Sequence, residues 1–243
     1  MIQQMITQRG INLNAQQHRA MEHYRGPAIV LAVAGAGKTT VMCARMAHLM
    51  THHQVPPEKI RNLTFSRAAA TDMQKRFMFL FGELEDSHQV VFSTIHSLAH
   101  GVVRSFYRQQ GISFQLIENR KHKLYKPRLL RALYQQVNRA YPSEDEMEEM
   151  LQKVSLAKNR MMTTEAIGGL VTSVKGFQSV YQRYESYKKA NGWLDYDDLL
   201  TEAYRILVTH EEWKERYHQR FQFWQVDEFQ DTSLLQWQTS CWK

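Results

Sequence analysis

"AIVLAVAGAGKTT", residues 28–40, decides the fold. Its first six residues, 28–33, are apolar and read as a buried β-strand. A glycine turn follows, and then a stretch from 38 to 50 with helical spacing. A strand that feeds a helix through such a turn is the opening of a parallel α/β unit. Gly35 and Gly37 allow the backbone to turn sharply and aim its N–H groups at anionic oxygens. The start of the helix adds a favourable dipole. The string fits a phosphate-binding P-loop, or Walker A element, with Ala32 where the pattern has its first glycine. Ala34, Gly35, Ala36, Gly37, Lys38, Thr39 and Thr40 are therefore candidate ATP contacts. Lys38 is expected to reach the β- and γ-phosphates, and the Thr39 hydroxyl to ligate Mg²⁺.

Three further apolar runs read as strands: 60–65, 89–95 and 221–227. Helical stretches are expected at 67–81 and 97–109. Between the third and fourth strands, residues 97–220 read almost wholly helical, with apolar positions three and four apart. Pro127 and Pro142 are expected to begin or break helices, and Gly168-Gly169 to mark a junction. The fold class expected is α/β, a parallel sheet carrying an inserted all-helical subdomain. Asp227 ends the last strand, where a carboxylate can hold Mg²⁺ beside a P-loop. Glu228 beside it can orient or deprotonate an attacking water.

The chain has 243 residues, room for one large domain or two smaller ones. Its two cysteines, Cys43 and Cys241, exclude a disulfide framework and fit a reducing, cytoplasmic setting. No apolar run is long enough to span a bilayer, and no signal peptide is visible, so no membrane partner is expected. A net charge of +7 suits a polyanionic partner. Residues 119–139 carry seven of the basic residues and no acid, followed at once by "EDEMEE" (144–149). That block reads either as a phosphate-tracking face or as a solvated helix face balanced by its acidic neighbour. His52-His53 has no acidic or cysteine partner at ligand spacing, and "THEEW" (209–213) lacks a second histidine, so no structural metal is expected.

"VDEFQDT" (226–232) is more distinctive than a generic acidic strand end. It resembles motif II of the UvrD/Rep-type superfamily 1 DNA helicases, and other strings follow in that family's order. "LNAQQ" (13–17) resembles the Q motif, which makes Gln17 the candidate adenine reader. "AVAGAGKTT" (32–40) resembles motif I, with Val33 where glycine is usual and Thr40 where arginine is frequent. "LTFSRAAATDM" (63–73) resembles motif Ia, in which Phe65 would stack on a base of single-stranded DNA. Ala68 stands there where lysine is common, and Arg67 is the neighbouring charge. "STIHSLAHGVVR" (93–104) resembles motif Ib, with Thr94 and His96 as DNA-contact candidates and Ile95 in place of phenylalanine. "GWLDYDDLL" (192–200) resembles the segment that returns the chain from the inserted helices.

The resemblance implies a RecA-like ATP-binding domain 1A over residues 1–104, a helical insert 1B over 105–191, and a return to 1A over 192–243. It implies ATP and Mg²⁺ as cofactors, single-stranded DNA or a single-strand/duplex junction as partner, and Lys38 and Glu228 as catalytic residues. In the family, motif II is followed by motif III and a second RecA-like domain that brings arginines to the γ-phosphate. Nothing here matches those parts, so the expectation is the front part of a helicase, with weak ATP and DNA binding and little unwinding by itself. A chain supplying the second domain is a possible partner. The alternative reading is a truncated, non-unwinding module that binds ATP or single-stranded DNA, or a partner subunit. A small-molecule kinase is disfavoured by the motif II string together with Phe65 and His96.

Overall fold

The computed structural model describes residues 2–118 and 125–240. The first part of the basic block, with Arg120, Lys121 and Lys123, lies outside the described residues, as does Cys241. In chain order the elements begin with helices α1 (Ile2–Gln8), α2 (Ala15–Glu22) and α3 (Lys38–His52). Strand β1 (Ile60–Thr64), helix α4 (Arg67–Phe81), strand β2 (Val91–Thr94) and helix α5 (Ile95–Gln109) come next. The short strand β3 (Gln115–Leu116) leads to α6 (Lys126–Asn138), α7 (Glu144–Asn159), α8 (Thr164–Gly168) and α9 (Phe177–Asn191). Strand β4 (Trp193–Leu194), α10 (Tyr196–Thr209), α11 (Glu211–Arg220), β5 (Phe223–Val226) and α12 (Leu234–Ser240) complete the order. None of the described helices is long and apolar enough to cross a membrane.

The chain divides into two compact units, residues 1–95 with 215–231, and residues 96–214 with 232–243. The first unit holds a three-stranded parallel sheet in the order β2-β1-β5. Thr64 stands opposite Thr94, and Leu63 opposite Val226, so the three strands end along one rim. A buried amide pair fixes the middle of this sheet. The Gln225 side chain donates to Asn62 Oδ1 at 2.9 Å, and both residues are almost wholly enclosed. Helix α4 lies against β1 and β2. It starts where Ser66 accepts from the Ala69 N–H, an N-cap worth about 1 kcal/mol. Phe77 of α4 is fully buried, with Phe81 and Phe92 rings 5.8 and 5.7 Å away. Enclosing such a side chain contributes about 1.5–3 kcal/mol.

One expected strand is not there. Residues 28–33 form no ladder with any described strand. Ile29 and Val33 are each 78% exposed and Leu31 is 91% exposed. The apolar run carries strand propensity, but a strand exists only where a neighbour accepts its hydrogen bonds and covers its side chains. Here β5 is hydrogen-bonded on one side only, to β1. The other three expected strands form, each slightly shorter than read.

Among the described residues, the second unit is helical apart from the two-residue parallel pair β3-β4. Pro127 sits in the first turn of α6. Pro142 precedes the Ser143 N-cap of α7, where Glu144, Asp145 and Glu146 fill the first turn and complement the helix dipole. The acidic run therefore serves its own helix. Glu146 closes a capping box with Ser143 and accepts from the Tyr134 hydroxyl at 2.7 Å. The core of this unit gathers Leu130, Met150, Val154, Val180 and Tyr184.

Candidate functional site

The glycine turn is built as the sequence requires. Gly35 and Gly37 adopt φ of 76° and 78°, the left-handed region open to glycine. Gly37 caps α3 without a side-chain bond, so no capping side chain satisfies the first N–H groups of that helix. Ala34 and Gly35 are exposed, while Lys38 and Thr39 are half-exposed at the helix start. Gln17 is tied to this turn. Its Nε2 donates to the Ala36 carbonyl at 2.9 Å, and its Oε1 accepts from the Asn14 N–H at 2.8 Å. Asn14 in turn caps α2, making a reciprocal box. One amide hydrogen and one lone pair of Gln17 stay available to a planar heterocycle. The string "NAQQ" (14–17) carries the spacing of such a box, a signal the sequence reading did not use. Thr40 behaves differently from its neighbours: it is buried, and its hydroxyl accepts from Arg76 at 2.8 Å. Its side chain is thus committed to Arg76, a contact that sequence spacing did not carry.

Asp227 follows β5 on the rim of the sheet, its N–H bonded to the Leu63 carbonyl at 2.9 Å. Burial pushes its carboxyl above the ordinary value; the Glu228 N–H and the Lys38 ammonium pull it back, while the Glu228 charge adds to the rise. Lys38 and Asp227 are far apart in sequence, yet the Lys38 charge reaches the Asp227 carboxyl. Glu228 has φ of 51°, a left-handed conformation that costs a non-glycine residue of order 1 kcal/mol or more. Gln230 donates to its carboxylate, and Asp231 N–H bonds its carbonyl at 2.9 Å. The strained residue is held by its own following turn. Beneath the site Cys43 is enclosed, its thiol pushed up to about 12 by burial, so it is inert.

The candidate DNA contacts are distributed over both units. Phe65 projects from the end of β1 and is 59% exposed, an aromatic face offered to solvent. Arg67, exposed, begins α4. Thr94 ends β2 on the same rim but is buried. His96 belongs to the second unit, where burial holds it below the usual histidine range against the pull of Asp197, and Tyr196 meets its ring edge-on at 6.4 Å.

The second unit contains a charged core that the sequence did not disclose. Asp195 is fully buried. It is bonded to Lys158 at 2.8 Å, Lys188 at 3.1 Å and the Tyr184 hydroxyl at 2.9 Å, with Lys126 at 3.6 Å. Asp198 binds both Lys158 and Lys188, and Glu185 lies 3.0 Å from each. Burial alone would raise the Asp195 carboxyl, but the three lysines override it and hold it well below the usual carboxylate range. Asp195 also caps α10, accepting from the Asp198 N–H at 2.7 Å. This cluster anchors the "GWLDYDDLL" segment to helices α7 and α9.

Comparison with known proteins bears on this arrangement. Residues 13–240 match the family described as the UvrD/REP helicase N-terminal domain. The chain is 29% identical over 230 residues to the putative ATP-dependent DNA helicase YjcD of Bacillus subtilis, covering 93% of this chain and 30% of that protein. It is 30% identical over 233 residues to the ATP-dependent DNA helicase PcrA of Staphylococcus epidermidis, covering 93% and 31%. With the ATP-dependent DNA helicase UvrD1 of Mycobacterium tuberculosis it shares 31% identity over 235 residues, covering 93% and 29%. The chain thus spans about 30% of the length of these relatives.

Proposed function

The chain belongs to the UvrD/REP helicase N-terminal domain family, and on that premise we propose that it carries the ATP cradle and part of the single-stranded-DNA track of an ATP-dependent DNA helicase. One observation carries the reading: a left-handed glycine turn opens α3 at Lys38, and Asp227 follows β5 at the carboxyl rim of the parallel sheet, its N–H bonded to the Leu63 carbonyl. Ligands of open α/β sheets bind at that rim.

In this reading the turn's N–H groups and the start of α3 bind the phosphates, and Lys38 neutralises their charge. Gln17 reads the adenine edge with its remaining donor and acceptor, and its bond to Ala36 couples base binding to the turn. Thr39 and Asp227 offer hard oxygen donors, the set that suits Mg²⁺, which would supply charge neutralisation at the transferred phosphoryl group. The raised carboxyl of Asp227 fits a position whose charge awaits a cation. Glu228 orients the attacking water and takes its proton, its direction set by the left-handed turn. Phe65 stacks on a base irrespective of sequence, with Arg67 near the backbone phosphates. The helical unit is read as an insert, and the charged core around Asp195 as what closes it.

Stepping along DNA needs a second domain to open and close around ATP, and transition-state arginine is worth roughly 10³–10⁵ in rate. This chain's residues account for one side of the nucleotide. The other side would come from further sequence or a partner chain, and strand separation by the 243 residues alone is expected to be absent or slight. The test is ATP turnover by the purified chain with and without single-stranded DNA, beside Lys38→Ala. ATP binding that Lys38→Ala abolishes supports the cradle. Nucleotide retention equal in both refutes it.

A further inference from the structure

The last turn of α3 gathers three imidazoles. His48 and His52 are one turn apart on one face, their rings stacked at 4.8 Å. His53, just past the helix, meets both edge-on at 5.2 and 5.0 Å. One nitrogen from each ring lies within 4.8 Å of the others. The sequence reading considered only the adjacent pair His52-His53; helical periodicity brings the third ring alongside.

The third ring is also held in position. Tyr24 stacks on His53 at 3.8 Å and 8°, and itself lies against Phe223 at 5.5 Å. The backbone is fixed by Gln54 at φ 53°, which lets the Val55 N–H reach back to the Leu49 carbonyl at 3.0 Å. Val55 is buried, so this turn is anchored in the core.

We propose that His48, His52 and His53 form a binding site for a divalent transition cation of the Zn²⁺ or Ni²⁺ class, with the remaining coordination positions left to water or another ligand. Neutral imidazole is the ligand such ions take. Nitrogens around a tetrahedral ion with Zn–N near 2.0–2.1 Å stand about 3.3 Å apart, so small ring rotations close the trio. The carbonyl end of α3 favours a cation here, and the Glu22 carboxylate adds to it. Of the nearby arginines, Arg45 donates to the His23 carbonyl and Arg25 sits over Tyr24. The site lies at the opposite end of α3 from Lys38, some 15 residues on, or about 22 Å. It is therefore independent of the nucleotide reading.

The test is Co²⁺ and Zn²⁺ titration of the tag-free chain, followed by visible absorption and by melting temperature. One ion per chain is expected. His48→Ala and His52→Ala should each weaken it at least about tenfold, and the Zn²⁺-induced rise in melting temperature should vanish. Asp227→Asn should leave the Zn²⁺ affinity unchanged. Equal affinity in the unmodified chain and in the His48→Ala/His52→Ala double variant overturns the proposal. So does loss of the ion in Asp227→Asn alone. Should a variant fail to fold, zinc-edge X-ray absorption of the unmodified chain decides: scattering from three imidazoles supports the site, and from fewer overturns it.

Discussion

Replacing Asp195 by asparagine removes one charge and one acceptor oxygen from the buried cluster. Asparagine caps helices as well as aspartate does, so the start of α10 should persist with the amide oxygen accepting from the Asp198 N–H, while the amide NH₂ takes the place of the oxygen that accepted from Tyr184, Lys158 and Lys188. What is lost is the carboxylate 2.8 Å from Lys158 and 3.1 Å from Lys188. Removing one partner of a buried ion pair costs about 3–5 kcal/mol, because the other charge stays enclosed. Both lysines retain Asp198 and Glu185, which puts the expected loss near the lower end, about 3 kcal/mol. For a chain of 243 residues that corresponds to roughly 6–12 °C in melting temperature. Asp195→Ala should lose about 1 kcal/mol more, the cap included. The pH dependence has a definite sign. The folded-state carboxyl is depressed, so its contribution is fully present above the ordinary carboxylate range. It is lost as pH falls towards the folded value, because the unfolded chain takes up a proton that the folded chain refuses. The gap between unmodified chain and Asp195→Asn should therefore narrow below about pH 4. Urea titration at pH 7 and pH 3 measures both quantities. A loss under about 1 kcal/mol at pH 7, or a gap that widens in acid, would refute the reasoning.

Gly37→Ala should weaken nucleotide binding more than Gly35→Ala, since both sit at positive φ but only at Gly37 does an added Cβ meet the Gln17 amide, at 3.3 Å; fluorescent-nucleotide titration compares them. Phe65→Ala should leave stability within about 0.5 kcal/mol, because the ring is exposed, yet lower single-stranded-DNA affinity by about 1–3 kcal/mol in an anisotropy assay. Gln225→Leu should destabilise the first unit by about 1–3 kcal/mol by stranding the Asn62 amide, and Asn62→Leu/Gln225→Leu should recover part of that in denaturant melts.

Local features were the legible ones. The glycine positions, the Asn14-to-Gln17 box and three of four strands follow from short-range pattern, because turns, caps and alternation are set by neighbours in sequence. The absent strand at 28–33 was not legible, since pairing depends on what lies beside it. Nor was the inward turn of Thr40 onto Arg76, or the meeting of Lys158 and Lys188 with Asp195. Those are contacts between helices, and no spacing rule encodes them. His48 sat at readable spacing from His52, but the meeting of both rings with His53 is a contact in space that spacing alone did not disclose.

The exposed run at 28–33 bears on how the protein behaves in bulk. Six residues without charge or proline have the composition that favours intermolecular cross-β stacking. Strand β5 adds one edge with no described partner, a template of the kind on which such stacking begins. In concentrated solution the chain should accordingly scatter more light than its charge of +7 would predict. A lysine at the most exposed position, Leu31→Lys, should restore colloidal stability without touching either core.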